Sequence, residues 1–281
     1  MIPAPPLEAF NRVIEAALTE DLGAAGDITT EAIVPAATEM SAFIRSRQPG
    51  RIAGVDVARL VLSRLQEPAI VTVVAADGTD VAAGELVAVL TGPARTVLAG
   101  ERVILNVLGR LSGIATATAA VVRAVAGTGV AIKDTRKTTP GLRALERYAV
   151  AVGGGANHRS GLYDAVLIKD NHIAIAGSIS AAVERVRAKL GETTPIQVEV
   201  ETLVELEEAL HSEVSAVLLD NMSPEMLRHA VALVAKRCHT EASGGITPAN
   251  VREIAATGVE AISLGWLTHS APILDLGLDI R

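Results

Sequence analysis

Aromatic side chains are almost missing from this chain: Phe, Tyr and Trp make up 2% of its 281 residues. Proteins that hold single-stranded nucleic acid stack bases on exposed aromatic faces, so that class loses its main contact. A positive excess is missing too. With 25 Lys and Arg against 32 Asp and Glu, the formal net charge is −7, whereas a nucleic-acid binder presents a basic surface. There is one cysteine, Cys238, which excludes an internal disulfide and a metal site built from cysteines. The N-terminal residues lack a basic segment followed by an apolar core, so no secretory signal is expected. No apolar stretch of about 18 residues stands out, so no membrane-spanning helix is expected either. These absences point to a soluble cytoplasmic protein.

What is present is aliphatic. Hydrophobic residues make up 49%, enough for a sizeable core, and the length suits a decorated barrel or two domains. The spacing of Leu7, Phe10, Val13, Ile14, Ala17 and Leu18 predicts an amphipathic helix over 5–20, broken at Asp27-Ile28-Thr29-Thr30. A strand is expected over 40–47 and a helix over 55–65. Short strands between 69 and 90 are cut by turn signals at Asp77-Gly78 and Gly84. A long helical region over 96–125 is weakened at Gly109 and Gly113. Residues up to roughly 110 thus read as a first α/β unit. From Val130 onward strands and helices alternate: strands are expected over 130–133, 164–169, 196–200, 216–219, 239–242 and 261–264. Such alternation predicts a parallel sheet with right-handed crossovers, and six units suggest an incomplete TIM-like barrel. A doubly wound open sheet is the alternative, but no G-x-G-x-x-G follows the first strand.

In such barrels the active site forms at the C-terminal strand ends. Here those ends carry Lys133 to Lys137, Lys169 to His172, Glu199 and Glu201, Asp220-Asn221, Glu241 with Ser243-Gly244-Gly245, and Gly265. Arg136, Lys137, His158, Arg159 and Lys169 form a basic cluster suited to a polyanionic substrate, because guanidinium matches carboxylate and phosphate geometry. Surface ion pairs with Asp134, Asp164 and Asp170 are the plainer reading of any one member. Ser243-Gly244-Gly245 and Gly265 follow late strands, where barrels bind phosphate through backbone N–H groups. Glu199 and Asp220 either hold sugar hydroxyls, a divalent ion or developing positive charge, or pair with rim cations. The run Gly153-Gly154-Gly155 before His158-Arg159 reads as a tight or mobile loop.

Several ordered blocks resemble one family. They are Asp134 to Arg143 (DTRKTTPGLR), Gly153 to Leu162, Leu167 to Ile173 (LIKDNHI), Leu218 to Met222, Glu241 to Ile246 and Leu267 to Ser270. Gly100-Glu101-Arg102 with Leu105-Asn106, and Leu111 to Thr116, add to them. Together they resemble the quinolinate phosphoribosyltransferases, over nearly the whole chain. The resemblance implies an N-terminal α/β sandwich over 1–112, joined by the tail 271–281, and an incomplete α/β barrel over 113–270. It implies a homodimer in which Arg102 of one subunit enters its partner's site.

It further implies that Arg102, Arg136, His158 and Arg159 bind the two carboxylates of quinolinate, with Lys137 and Lys169 adding charge near both substrates. Glu199 and Asp220 would hold the ribose of phosphoribosyl pyrophosphate. Ser243, Gly244, Gly245 and Gly265 would cradle its 5′-phosphate. Mg²⁺ is expected to arrive mainly on the substrate, close to Glu199 and Asp220, with no direct protein ligand assigned. Lys137, Lys169, Glu199 and Asp220 are the expected catalytic set. Two positions depart from the family: Gln197, where an acidic residue is usual, and Trp266, where a small one is. Two rival readings stand beside this one, a Schiff-base aldolase using Lys169 and a non-catalytic paralogue of the same fold.

Overall fold

The computed structural model describes residues 6–280. Pro5, the expected start of the first helix, and Arg281 at the end of the tail lie outside the described residues. In chain order the elements are α1 (Leu7–Leu22), α2 (Ile28–Ile33), β1 (Glu39–Ser46), β2 (Gly50–Arg51), α3 (Val57–Leu62), β3 (Ile70–Val73), β4 (Asp80–Val81), β5 (Leu86–Pro93) and α4 (Ala94–Ala124). There follow β6 (Ala131–Lys133), α5 (Arg143–Val152), β7 (Val166–Ile168), α6 (Asp170–Ala176), α7 (Ile179–Leu190), β8 (Ile196–Val200) and α8 (Leu203–His211). The last are β9 (Ala216–Asp220), α9 (Pro224–Val234), β10 (His239–Ser243), α10 (Val251–Ala255), β11 (Ala261–Ser263), α11 (Trp266–His269) and β12 (Leu276–Ile280). Packing divides the chain into two units. One comprises residues up to Ala119, Thr138–Gly154 and the residues from Leu267 on; the other comprises Ala120–Lys137 and Gly155–Trp266.

The first unit is organised by an antiparallel sheet in the order β12-β1-β5-β3. Helix α1 buries Phe10, Ile14 and Leu18, spaced four apart on one face as an amphipathic helix requires. The residues Asp27 to Thr30 do not merely break the chain. The Asp27 carboxylate accepts the Thr30 N–H at 2.9 Å and caps α2, a role for which Asp is favoured. Helix α4 runs unbroken for 31 residues. By length and composition it could cross a membrane, with a window of mean hydropathy 1.4, yet 72% of that window is buried inside the fold. That is the behaviour of a core helix, and it corrects the expectation that no stretch so long and apolar exists. Ser112 and Thr118 interrupt the run in sequence, but both are satisfied: Ser112 Oγ accepts the Ala53 N–H at 3.0 Å, and Thr118 Oγ1 donates to the Ile114 carbonyl at 2.8 Å.

Gly109 and Gly113, expected to weaken this helix, are the points where the C-terminal segment lies against it. A side chain at Gly113 would overlap the Pro272 carbonyl and stand 3.0 Å from the Leu274 nitrogen. The Leu274 N–H also donates to the Gly109 carbonyl at 3.0 Å. The two glycines thus trade about 1 kcal/mol of helix propensity each for close approach of backbone to helix.

The second unit is a six-stranded parallel sheet in the order β6-β11-β10-β9-β8-β7. Consecutive strands are neighbours from β7 to β11, and β6 pairs with β11, as a curling barrel requires. The free side of β6 is met by one loop residue: the Ala156 N–H donates to the Ile132 carbonyl at 2.7 Å, and the Asp134 N–H to the Ala156 carbonyl at 3.2 Å. β6 and β7 remain the edges of the sheet, so the barrel is incomplete. Helices α7, α8 and α9 start on capping signals. Ser178, Thr202 and Ser223 accept the N–H groups of Ala181, Glu205 and Met226 at 3.0, 3.2 and 3.2 Å, each worth about 1 kcal/mol.

Candidate active site

Because all six strands of the second unit are parallel, their C-terminal residues share one end. On β8, Ile196, Val198 and Val200 are buried while Gln197 and Glu199 are half-exposed. Strand residues two apart share a face, so Gln197 and Glu199 point the same way, and so do Glu241 and Ser243 on β10. This face carries a buried polar hub. Glu241 is fully buried. Its Oε2 accepts Lys133 Nζ at 2.8 Å and Gln197 Nε2 at 3.3 Å. Its Oε1 accepts the Ser263 hydroxyl and faces His158 Nε2 at 3.4 Å. β6, β8, β10 and β11 and the loop after Ala156 therefore meet on one carboxylate. Lys133, together with His158, holds the Glu241 carboxyl low despite burial acting the other way. The contact also accounts for Gln197: its amide donates to Glu241, where an acidic residue would have faced it with a second carboxylate.

The basic cluster sits around this hub. His158 Nδ1 accepts the Arg159 N–H at 2.7 Å, so a neutral ring carries its proton on Nε2, toward Glu241. Burial pushes the imidazole below its ordinary value; Lys133 and Arg159 push the same way, while Glu241 and Gln197 oppose. Asp134, itself fully buried, accepts the His158 N–H at 2.7 Å and Asn157 Nδ2 at 2.6 Å. The glycine-led loop is thus pinned at its far end. Asp164 accepts the Ser160 and Gly161 N–H groups at 2.6 and 3.0 Å; these two bonds, Gly161 first, hold its carboxyl down to about 2. Burial, then the neighbouring Arg136, lowers Arg159 from its ordinary value, with Asp164 and Glu199 opposing. Lys169 forms an ion pair with Glu199. The Lys137 N–H donates to Thr135 Oγ1 at 3.1 Å, and its side chain is exposed.

Asp220 and the glycine pair lie at the ends of adjacent strands, with Asp220 in register with Ser243. Asn221 Nδ2 donates to Asp220 Oδ2 at 2.7 Å, and the Asn221 N–H donates to the Ser243 carbonyl at 2.9 Å. Gly244 and Gly245 adopt φ of +85° and +61°, a conformation that disfavours any side chain. Among the described residues the amides of Gly244, Gly245 and Ile246 have no protein acceptor. Successive free N–H groups in a turn form an anion-binding concavity. Gly265 follows β11 after one intervening residue, Leu264, and lies ahead of α11.

The structure therefore brings Arg136, His158, Arg159, Lys169 and Glu199 into mutual range, and Asp220 beside Ser243 and Gly244. Arg102 belongs to the first unit, exposed on α4 with Glu101 at 3.9 Å. Sequence reasoning named Lys133, Asp134 and Glu241 as strand-end or motif residues, and Asp134 as an ion-pair partner of the cations, but missed their function as ties. For Lys133 and Asp134 the signal was a charged pair closing the apolar run Ala131-Ile132; Glu241, in the middle of β10, offered none. Among the described residues no group of three His, Cys, Asp or Glu side chains could hold a metal ion.

Two family models match the chain: "Quinolinate phosphoribosyl transferase, N-terminal domain" over residues 27–112 and "Quinolinate phosphoribosyl transferase, C-terminal domain" over 114–279. A nicotinate-nucleotide pyrophosphorylase (carboxylating) of Mycobacterium leprae is 46% identical over 278 residues, covering 97% of this chain and 98% of that one. A probable enzyme of the same name from Bacillus subtilis is 44% identical over 261 residues, covering 93% and 90%. The crystal structure of the Ehrlichia chaffeensis nicotinate-nucleotide pyrophosphorylase superposes with a TM-score of 0.93 at 40% identity, covering 97% and 98%.

Proposed function

The chain belongs to the quinolinate phosphoribosyltransferase family, and from that premise we propose how its residues divide the work. It transfers the phosphoribosyl group of phosphoribosyl pyrophosphate to quinolinate with loss of carbon dioxide, yielding nicotinate mononucleotide and pyrophosphate. The observation that carries the assignment of roles is the rim itself: a cationic cluster beside a carboxylate pair and a glycine turn with free amides.

Arg136 and Arg159, with Lys137 and Lys169, meet the two adjacent carboxylates of quinolinate, and Arg102 of a second copy completes the set. His158 joins them through Arg159, whose N–H it accepts. Glu199 and Asp220 hold the ribose hydroxyls and stabilise positive charge as the C1′–pyrophosphate bond lengthens. The amides of Gly244 and Gly245, with Ser243 and Gly265, receive the 5′-phosphate. The pyridine nitrogen forms the new bond at C1′ while pyrophosphate departs with the old pair. The pyridinium nitrogen then accepts the electrons released when the neighbouring carboxylate leaves as carbon dioxide, and a proton replaces it on the ring carbon. The protein acts by positioning and electrostatics, and no covalent intermediate with a side chain is needed. Lys169 supports this over a Schiff-base role: it is held in an ion pair with Glu199, whereas imine formation requires a free amine. Mg²⁺ would be held mainly by the pyrophosphate, neutralising part of its charge, and Asp220 and Glu199 are the side chains that would assist. We place the enzyme in the cytoplasm, as a homodimer.

The test is direct. Purified protein is incubated with phosphoribosyl pyrophosphate, Mg²⁺ and either quinolinate or nicotinate. Nicotinate mononucleotide from quinolinate alone is the expected result. Product from neither substrate, in folded protein, would overturn the reading in favour of a non-catalytic relative.

A further inference from the structure

We propose that Glu241 is a positioning residue that acts through His158 to seat Arg159. An imidazole with one proton has one donor and one acceptor nitrogen. His158 Nδ1 is the acceptor, because the Arg159 N–H points at it across 2.7 Å. The proton must then sit on Nε2, which faces Glu241 Oε1 at 3.4 Å, with the Gln197 side chain as a second hydrogen-bonding neighbour. A carboxylate accepts and does not donate, so Glu241 enforces this tautomer. Were the proton to move to Nδ1, it would oppose the Arg159 N–H and that bond would be lost.

Everything else on Glu241 keeps it ionised and fixed. Lys133 Nζ lies at 2.8 Å and Gln197 Nε2 at 3.3 Å, and the Ser263 hydroxyl donates to it. From the other side, Asp134 accepts the backbone N–H of His158 at 2.7 Å, which fixes the chain from which the ring projects. Arg159 is held at both ends as a result: its N–H on His158 Nδ1 and its Nη1 on the Ala165 carbonyl at 3.2 Å. The charged and titratable groups around the ring are Glu241 on β10, Lys133 on β6 and Arg159 on its own loop, with the neutral Gln197 on β8. A second proton on the ring would place positive charge between Lys133 and Arg159 and break the same N–H bond. The inference rests on the reading of Arg159 as a binder of the substrate's carboxylates.

Glu241→Gln tests it. The amide keeps its shape, but with Lys133 demanding the oxygen its NH₂ faces His158 Nε2, and a donor there drives the ring proton to Nδ1. The first measurement is the ¹⁵N spectrum of ring-labelled His158 at neutral pH. The wild type should show the Nε2–H tautomer and the variant should lose it; an Nδ1–H wild type overturns the proposal, whether or not the variant folds. The second is kinetic. In Glu241→Gln the quinolinate KM should rise about tenfold to a hundredfold, the cost of one buried hydrogen bond left unmade, with the phosphoribosyl pyrophosphate KM unchanged. In the wild type the quinolinate KM should rise as pH falls through the His158 titration, below the ordinary histidine range. A tautomer shift with no change in quinolinate KM would overturn the link to Arg159, while inactivity of the wild type would indict the functional reading instead.

Discussion

Replacing Gly244 by alanine should damage phosphate binding more than the same change one residue later. Gly244 sits at φ +85°, and alanine in the left-handed region costs about 1–2 kcal/mol. Its new Cβ would also overlap Asn221 Oδ1 and lie 2.7 Å from the Asn221 nitrogen. That nitrogen is not free to retreat, because its N–H donates to the Ser243 carbonyl at 2.9 Å; losing the bond adds about 0.5–1.5 kcal/mol. The sum is about 1.5–3.5 kcal/mol, or about tenfold to three-hundredfold at 1.4 kcal/mol per decade. Gly245, at φ +61°, has nothing within 4 Å of its would-be Cβ, so Gly245→Ala bears the strain alone, about fivefold to thirtyfold. The assay is steady-state kinetics with phosphoribosyl pyrophosphate varied at saturating quinolinate, backed by quinolinate binding in its absence. The KM for phosphoribosyl pyrophosphate should rise in both variants, more in Gly244→Ala, with quinolinate binding intact. An unchanged KM in folded Gly244→Ala, or the reverse order of the two, would refute the assignment of this turn to the 5′-phosphate.

Lys137→Ala should lower kcat about a hundredfold to a thousandfold, the usual loss for one electrostatic stabiliser, with an unaltered circular dichroism spectrum because the side chain is exposed. Arg102→Ala mixed with Lys137→Ala should regain activity through hybrid dimers; no recovery would tell against a shared site. Arg110→Ala should cost about 3–5 kcal/mol of stability by chemical denaturation, since it strips the fully buried Glu146 of a partner at 2.7 Å, and adding Glu146→Ala should recover part of it. Burial, then Asp77, raises the Tyr148 phenol well above its ordinary value. Its contribution is therefore complete below the unfolded value of about 10 and lost as pH rises through the folded one. Tyr148→Phe should accordingly flatten the alkaline stability profile.

The alternation of strands and helices after Val130 was legible because buried parallel strands are short apolar runs with turn signals between them. What escaped notice were features set by contacts distant in sequence. Asp170 to Ala176 forms α6 one residue after β7, but its opening Asp-Asn-His reads as a polar strand end, and a helix of seven residues has too few turns to show a period. The C-terminal strand β12 is recognisable only once β1 is in place to pair with it. Gly109 and Gly113 mark weakness when helix propensity is the only consideration; the packed C-terminal segment reverses their meaning. The rim cations were found because charge stands out in an aliphatic sequence. Glu241 was overlooked because a lone Glu in Thr-Glu-Ala-Ser carries no spacing that distinguishes a buried hub from a solvated strand end.

An acidic protein with a polyanion site poses a problem of placement, and the second unit shows how it is solved. Three carboxylates around the cations are already engaged by donors of the protein. Glu241 is occupied by Lys133, Gln197 and Ser263, Asp134 by the His158 N–H and Asn157, and Asp164 by the Ser160 and Gly161 amides. A carboxylate satisfied by donors of the protein directs little of its hydrogen-bonding capacity outward, and it fixes the loops that carry the cations. Arg159 is the clearest case: one residue after a histidine pinned by Asp134, and joined by the Ala165 carbonyl just beyond Asp164. The charges that repel a phosphate or a carboxylate at long range are, at this rim, the groups that hold the attracting ones still. Preorganised cations need no rearrangement when charge develops, which is the source of electrostatic catalysis. The net charge of −7 therefore describes the molecule's whole surface, while binding is decided by the few ångströms in which these carboxylates already have partners.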